Sequence, residues 1–434
     1  MKITTLSILT TLALASTSLS ALTLYQDPST GQVFTKGGEG RVAMGDFVEA
    51  KTAYSEGKAD DSAFAKNDIK KKKEVPVFSK ASKLKFSGLH FLGYKNSSGA
   101  DKGSKDNYTG FETRRNYLQV KAYFFDDPKS YMRLTLDTFE NTSSSTDDSA
   151  GANSMEVRLK YAFVYLNNIL PYTGVEFGQV HRPWIDYEEH NAYAYRSISK
   201  TFVEAGEGAD LTNSADKGIN FKTKTAYFSS EVGIFNGEGY HSTEDGKGNS
   251  LEWRATAHLL GKGKTQKDHW TSETYWNVST FGQYNRNLAK NKVSGNDKGQ
   301  TMEFYGVHTV YNQPEFLVSA QYITADSDDK GKTKSVGLQD VYKYQGDGYS
   351  VAGVYRFGSD LKWDLFGRYD NWTKEHDAAN ATGKDVESEY GIAGFGYEYS
   401  KNLKLLANML YTDPNKDVSE DDYTTFMLTA EVNW

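Results

Sequence analysis

From about Lys83 to the end of the chain, apolar and polar positions alternate one by one. Met132, Leu134 and Leu136 alternate with Arg133, Thr135 and Asp137, and Val157, Leu159, Tyr161, Phe163 and Tyr165 with Arg158, Lys160 and Ala162. Ile219, Phe221 and Thr223 do the same against Asn220, Lys222 and Lys224, as do Leu251, Trp253, Ala255, Ala257 and Leu259 against Glu252, Arg254, Thr256 and His258. A period of two sends successive side chains to opposite faces, so each run predicts a strand with one apolar and one polar face.

Two kinds of connection separate these runs, and they alternate. Short ones carry Pro, Gly, Asn, Asp or Ser: Asp126-Asp127-Pro128, Asn167 to Pro171, Ser229-Ser230, Asn312-Gln313-Pro314, Gly358-Ser359-Asp360 and Ser400-Lys401-Asn402. Long polar ones occupy 96–110, 141–155, 181–217, 237–249, 287–299, 326–345, 374–386 and 412–421. Short turns on one side and long loops on the other are the layout of an all-β, transmembrane antiparallel barrel, with the turns periplasmic and the loops extracellular. Pairing the strands predicts about sixteen of them, an even number as single-chain barrels of this kind require.

Composition sharpens this picture. Only 38% of the residues are hydrophobic, yet 14% are aromatic, with Tyr 30, Phe 23 and Trp 7. Mean hydropathy is −0.65. The aromatic content excludes a disordered chain. After the first residues no apolar stretch approaches the ~20 residues of a membrane helix. A barrel reconciles these values, because it shows lipid only alternate residues and belts its interfaces with aromatics. Cysteine is absent, so stability rests on backbone ladders and burial rather than disulfides. The formal charge of −7 gives no reason to expect a nucleic-acid partner.

The N-terminal end reads separately. Met1-Lys2, the short apolar run Leu6 to Leu14 and the small residues Ala15, Ser16, Ser18 and Ser20 predict a cleaved secretory signal over 1–20. Residues 21–80 form their own segment, in the periplasm or at the barrel mouth. It holds a hairpin of Leu22 to Tyr25 with Gln32 to Thr35, then Gly37 to Gly40, a polar and partly helical stretch, and the basic run Lys70 to Lys73. The barrel occupies 81–434. Its last strand places Phe426, Leu428, Ala430, Val432 and Trp434 on one face, and this terminal aromatic resembles the signal that the outer-membrane assembly machinery reads.

Three segments carry a family resemblance. Phe111-Glu112-Thr113-Arg114-Arg115-Asn116-Tyr117-Leu118-Gln119-Val120-Lys121 resembles an early strand of porins of the phosphate-selective O/P family. The run from Val175 to His190, with Gly178-Gln179-Val180-His181-Arg182-Pro183-Trp184 at its centre, is similar to a strand and loop of the epsilonproteobacterial relatives, as is Leu24-Tyr25-Gln26-Asp27-Pro28. The resemblance implies a 16-stranded barrel in the outer membrane, a homotrimer, and a third loop folded into the pore. The ladders of Arg and clusters of Lys behind phosphate selectivity in that family find no residue-by-residue match here.

In a channel the chemistry is electrostatic: charges of one sign around a narrow aqueous path select ions of the other. Alternation places Arg115, Lys121, Arg133, Arg158, Lys160, Lys222, Lys224 and Arg254 on the polar faces of strands 2, 3, 4, 6 and 8, a basic wall on one side of the lumen. That placement assumes that no bulge shifts the register. The blander reading pairs these charges with Asp137, Glu156, Glu176 and Glu252. The longest loop, 181–217, holds His181, Arg182, Trp184, Asp186, Tyr187, Glu188, Glu189, Arg196, Lys200 and Glu204. Its acids facing the basic wall across a constriction would set a transverse field. Alternatively, Trp184 and Tyr187 merely anchor the loop, whose charges are satisfied locally.

The function expected is passive diffusion of small hydrophilic solutes and ions, with an anion- or phosphate-selective channel as the alternative. A plugged structural barrel or adhesin is the other alternative. An enzyme is not expected, since no G-x-S-x-G appears and no Ser–His pair stands out. No cofactor is expected, and the His residues form no zinc spacing. Asp326-Ser327-Asp328-Asp329-Lys330-Gly331 hints at a bound divalent cation, but Lys330 occupies a ligand position and no closing Glu follows. Outer-membrane lipid surrounds such a barrel, and the acidic tips Asp147-Asp148 and Glu420-Asp421-Asp422 would meet lipopolysaccharide through divalent ions.

Overall fold

The alternating runs form strands that pair in sequence order and close on themselves. The computed structural model describes residues 22–26, 33–34, 36, 38, 41–47, 83–98, 107–124, 127–140, 155–242, 244, 248–262, 273–288, 300–327, 341–376, 385–416 and 422–434. The chain divides into two units, 1–75 and 76–434, described separately. The expected signal segment, Lys70 to Lys73, the acidic pair Asp147-Asp148 and most of the candidate cation loop 326–331 lie outside the described residues.

In the first unit, β1 (Leu22–Gln26), β2 (Val33–Phe34) and β3 (Val42–Phe47) make a three-stranded antiparallel sheet in the order β2-β1-β3. The expected hairpin is present, with Tyr25 opposite Phe34 and Gln26 opposite Val33. Its partner β3 corrects the reading of a polar, partly helical stretch after Gly40. The free edge of β1 offers a ladder of backbone groups, and Val42 to Phe47 pair with it instead.

In the second unit sixteen strands form one closed barrel. They are β4 (Leu84–Ser98), β5 (Tyr108–Tyr123), β6 (Tyr131–Glu140), β7 (Met155–Leu170), β8 (Thr173–His181), β9 (Ala215–Lys224), β10 (Phe228–Phe235), β11 (Ser250–Leu260), β12 (Tyr275–Leu288), β13 (Gln300–Asn312), β14 (Phe316–Ser327), β15 (Val341–Phe357), β16 (Trp363–His376), β17 (Val386–Ser400), β18 (Leu403–Lys416) and β19 (Tyr423–Asn433). Each is antiparallel to the next, and β19 pairs with β4, from Thr424 opposite Ser98 to Asn433 opposite Leu89. Trp434 extends this seam: its backbone exchanges hydrogen bonds with Gly88 at 2.9 and 3.2 Å. The indole then covers Gly88, where a Cβ would lie 2.4 Å from Trp434 Nε1.

Long connections collect at one end, the loop side, and short ones at the other, the turn side. Two turn-side readings are corrected. Ser229-Ser230 lies inside β10, and the turn is 225–227, closed by Thr225, whose N–H donates to Phe228 O at 2.8 Å and whose hydroxyl accepts from Phe228 N–H at 3.1 Å. Between β11 and β12 lies a turn-side connection, 261–274, missing from the short turns read in the sequence although it opens on Gly261-Lys262-Gly263.

Val307, Val318, Val351, Leu405 and Leu428 stand exposed on the outer wall, while their neighbours His308, Ser319, Ser350, Lys404 and Thr429 are buried inside. Several bulges interrupt the alternation, and two of them change which side chains turn inward on β5 and β7. Thr135 pairs with Tyr161, but Leu136 pairs with Leu159, so Lys160 has no partner on β6. An unmatched residue exchanges the faces of everything after it. Tyr161 and Phe163, read as outward, are therefore buried inside the barrel. The Gln179 amide donates to the carbonyls of Leu159 and Lys160 at 2.7 and 2.9 Å, satisfying the bulge. A second bulge lies at Arg114, between the pairs Phe91–Arg115 and Leu92–Thr113. No helix among the described residues is long and apolar enough to cross a membrane.

Candidate functional site

The connection between β8 and β9 folds into the barrel. Proline at the first helical position starts α1 (Pro183–Asn191), whose Trp184, Ile185, Tyr187 and Glu188 are buried. Trp184 and Ile185 join Phe202 and Val203 of the same loop against Phe281 on β12, Met302 and Phe304 on β13, Ile323 on β14 and Trp372 on β16. Further on, Tyr193, Tyr195 and Ile198 rest on Phe366, Tyr390, Ile392 and Leu406 of β16 to β18. The loop thus carpets the wall from β12 to β18. Inward side chains of β5 and β6, among them Arg115, Gln119, Lys121 and Arg133, keep partial exposure, so the open path runs along their wall.

Ion pairs fasten the loop at both ends. Arg182 bridges Asp216 on β9, at 3.0 Å, and Glu252 on β11, all three buried. Lys222 lies 2.7 Å from Asp186 and within 3.6 Å of Glu176 and 3.3 Å of Glu231. Arg254 pairs with Glu231 at 3.1 Å and sits 4.7 Å from the centre of the Tyr187 ring. Within the loop Arg196 joins Glu189 at 2.8 Å to Glu204 at 2.6 Å, and Lys200 is 3.5 Å from Glu204. Burial opposes ionisation of Glu204, but Arg196 and Lys200 outweigh it and hold the carboxyl well below the usual range. Among the described residues Glu188 forms no ion pair: it accepts from Gln321 at 2.6 Å, and burial pushes its carboxyl up to about 7 against the pull of Arg368.

The loop acids therefore do not stand apart from a basic wall. Asp186 touches Lys222 directly, and Glu189 and Glu204 are neutralised inside the loop. Burying charge without a partner costs several kcal/mol, which is reason enough for the acids to be paired where water is scarce.

Seven of the eight basic positions fall into two groups, and Lys160 into neither. Lys121, Arg133, Lys222, Lys224 and Arg254 line one cavity of about 640 Å³ on the turn side of the loop, with His181, Asp186, Tyr187, Glu176, Glu231 and Lys262. Arg133 lies 4.6 Å from the centre of the Tyr161 ring and beside His181 Nε2, and no ion pair to a carboxylate forms among the described residues. On the loop side are Arg115, stacked on Tyr117 at 5.1 Å, and Arg158, which pairs with Asp137 at 3.1 Å. Lys160 does not line the path. Its bulge buries it completely, bonded to Ser214 and to the Tyr240 hydroxyl at 2.9 Å.

Sequence reasoning missed the anchors under the loop. Arg368 pairs with Asp370, donates to Lys200 O at 2.6 Å and stacks on Tyr193 at 4.7 Å. Lys404 pairs with Asp364 at 3.0 Å beneath the Tyr195 ring. Both lie on polar strand faces, the only signal available. Arg114 is turned inward by its bulge and donates to the Thr429 hydroxyl at 2.5 Å. Among the described residues no group of three or more His, Cys, Asp or Glu could hold a metal ion.

No family model matches the chain, and no curated protein matches it. Solved structures do. An anion-selective porin from Comamonas acidovorans superposes with a TM-score of 0.54 at 13% identity, covering 81% of this chain and 99% of that one. Pseudomonas putida OprB in a high-pH structure gives a TM-score of 0.55 at 12% identity, covering 83% and 96%. The trimer form of OmpT, an outer membrane protein of Vibrio cholerae, gives 0.51 at 15% identity, covering 81% and 99%. The fold is that of the outer-membrane porins. At these identities the likeness carries the architecture: a closed sixteen-strand antiparallel barrel that crosses a membrane with strands.

Proposed function

We propose that the protein is an outer-membrane porin, a passive channel for small hydrophilic solutes and ions with a modest preference for anions. One observation carries this reading: the 640 Å³ cavity beside the inward loop. Its cations Lys121, Arg133, Lys222, Lys224, Arg254 and Lys262 outnumber its acids Glu176, Asp186 and Glu231. A path with excess charge of one sign favours counter-ions. The loop narrows the path, and its paired charges supply rigidity rather than a net field. As in the porin fold generally, no chemical step is required of any residue. A homotrimer fits this reading, in line with the trimer form of the Vibrio cholerae protein.

The narrower reading is a channel selective for phosphate or related anions, favoured by the resemblance of residues 111–121 and 175–190 to the O/P porins. Single-channel recordings in planar bilayers separate the two. Stepwise openings with an anion-selective reversal potential in a KCl gradient support the porin. Block of the chloride current by millimolar phosphate supports the narrower form. A folded, heat-modifiable barrel that never opens refutes both.

A further inference from the structure

We propose that the turn-side cavity binds planar aromatic carboxylates, with the carboxylate between Lys121 and Arg133 and the ring against a row of tyrosines. The inference rests on the channel reading above and names a solute class for it, one other than phosphate.

The first observation is a cation with donors to spare. The Arg133 guanidinium lies 4.6 Å from the centre of the Tyr161 ring and 5.7 Å from that of Phe163. Its Nε–H donates to Thr135 Oγ1 at 3.2 Å, and one Nη1–H to His181 Nε2 at 3.4 Å. Tyr161 in turn stacks on His181, ring centres 3.9 Å apart, so the guanidinium is held in place. Such a group carries five N–H donors in a rigid fork that matches a carboxylate. The three left over meet no partner among the described residues and border a cavity of about 640 Å³. Lys121 stands directly opposite Arg133 in the ladder and lines the same cavity, so two cations flank one spot. The cavity's acids, Glu176, Asp186 and Glu231, gather instead on Lys222 of β9.

The second observation is the surface beside these cations. Two residues nearer the turn, Tyr123, Tyr131 and Tyr165 stand opposite one another on β5, β6 and β7. Their rings form a row. Tyr123 meets Tyr131 edge-on at 5.6 Å, and Tyr131 lies tilted against Tyr165 at 5.2 Å. Phe163 backs Tyr131 at 6.3 Å, and Lys121 Nζ sits 4.3 Å from the centre of the Tyr131 ring. Tyr131 and Tyr165 line the cavity and keep partial exposure, so ring surface is open to a solute. Gly174 on β8 makes room for Tyr165, because a Cβ there would collide with its hydroxyl.

Together the two rows select a ligand class. Two residues of strand span about 6.6 Å, which sets the cations one carboxylate away from the stacked rings. Chloride and phosphate use the cations alone and gain nothing from ring faces. An aliphatic carboxylate satisfies the fork but leaves the tyrosines facing water. A benzoate-like anion uses both, and each ring pair it forms is worth roughly a two- to twelvefold gain in affinity. The cavity, at about 640 Å³, has the size of a small-molecule site.

Saturation-transfer NMR on the detergent-solubilised full-length protein follows benzoate and acetate directly, with inorganic phosphate as a competitor. Benzoate is expected to bind about tenfold more tightly than acetate, the gain from two ring contacts. Phosphate is expected to displace it only at about tenfold excess or more. Equal affinities for benzoate and acetate, or displacement by equimolar phosphate, overturn the proposal. Arg133→Gln is expected to weaken both carboxylates about tenfold, as loss of a charged donor does. Tyr131→Ser and Tyr165→Ser, each checked as a heat-modifiable folded barrel, should weaken benzoate about fivefold and leave acetate as it was. Unchanged benzoate binding in any of the three folded variants overturns the proposal as well. Conductance of the same preparations keeps the two readings distinct. Openings without benzoate preference reject this site and leave the channel; benzoate preference without openings keeps the site and rejects the channel.

Discussion

The indole of Trp184 lies flat on the ring of Phe281, centroids 3.6 Å apart and planes 3° from parallel. This stack joins the first turn of α1 to β12 and decides where the inward loop rests. Truncating a fully buried aromatic costs about 3–5 kcal/mol. Trp184→Ala should free α1 from the wall while the barrel ladders persist. Single-channel conductance should rise and the open-state current become noisier; an unaltered trace would mean that this loop does not limit the path.

Arg182 holds two buried carboxylates together, Asp216 and Glu252. Arg182→Met leaves both without their cation, and breaking a buried pair in this way costs about 3–5 kcal/mol. The heat-modifiability transition on gels should fall by several degrees. Arg182→Met combined with Asp216→Asn and Glu252→Gln should recover most of the loss, because no uncompensated charge remains.

Arg133 lines the turn-side cavity without an ion-pair partner among the described residues. Arg133→Ala should move the reversal potential in a KCl gradient towards cation preference with little change in stability. Lys160→Ala should leave selectivity near the parent value, since that ammonium is sealed from the path. Equal shifts from the two variants would contradict the division into lining and buried cations.

Glu188 supplies a pH dependence with a defined sign. Burial raises its carboxyl from the usual 4.5 to about 7. The folded form therefore holds a proton that the unfolded form releases from pH 4.5 upward, and stability falls as pH rises through that window. The change amounts to at most roughly 3 kcal/mol and is complete above pH 7. Comparing thermal transitions at pH 5 and pH 8 should show a drop in the parent that Glu188→Gln reduces.

A side chain at Gly88 meets the Trp434 indole at once. Gly88→Val should impair closure of β4 against β19 and reduce the yield of folded, heat-modifiable barrel. Adding Trp434→Ala should restore space, though without the bond to His90. No gain in the double variant would show that the contact is incidental to closure.

How far the sequence reached depended on the range of the forces involved. The period of two, the alternation of turns and long loops, and the terminal Phe426 to Trp434 face are local patterns. Together they specified an antiparallel transmembrane barrel, about sixteen strands, and 181–217 as the loop of interest. They also specified which side chains turn inward wherever the ladder is regular, as at Lys121, Arg133, Lys222 and Arg254. Two things were not local. An unmatched residue at Lys160 or Arg114 exchanges faces only because the neighbouring strand lacks its partner, so the inward turn of Tyr161 and Phe163 needed the pairing itself. The resting place of the loop, over Phe281 and Trp372 and clamped by Arg368 and Lys404, brings together residues far apart in the chain. No periodicity records such contacts. Packing and charge pairing inside the closed barrel decided them.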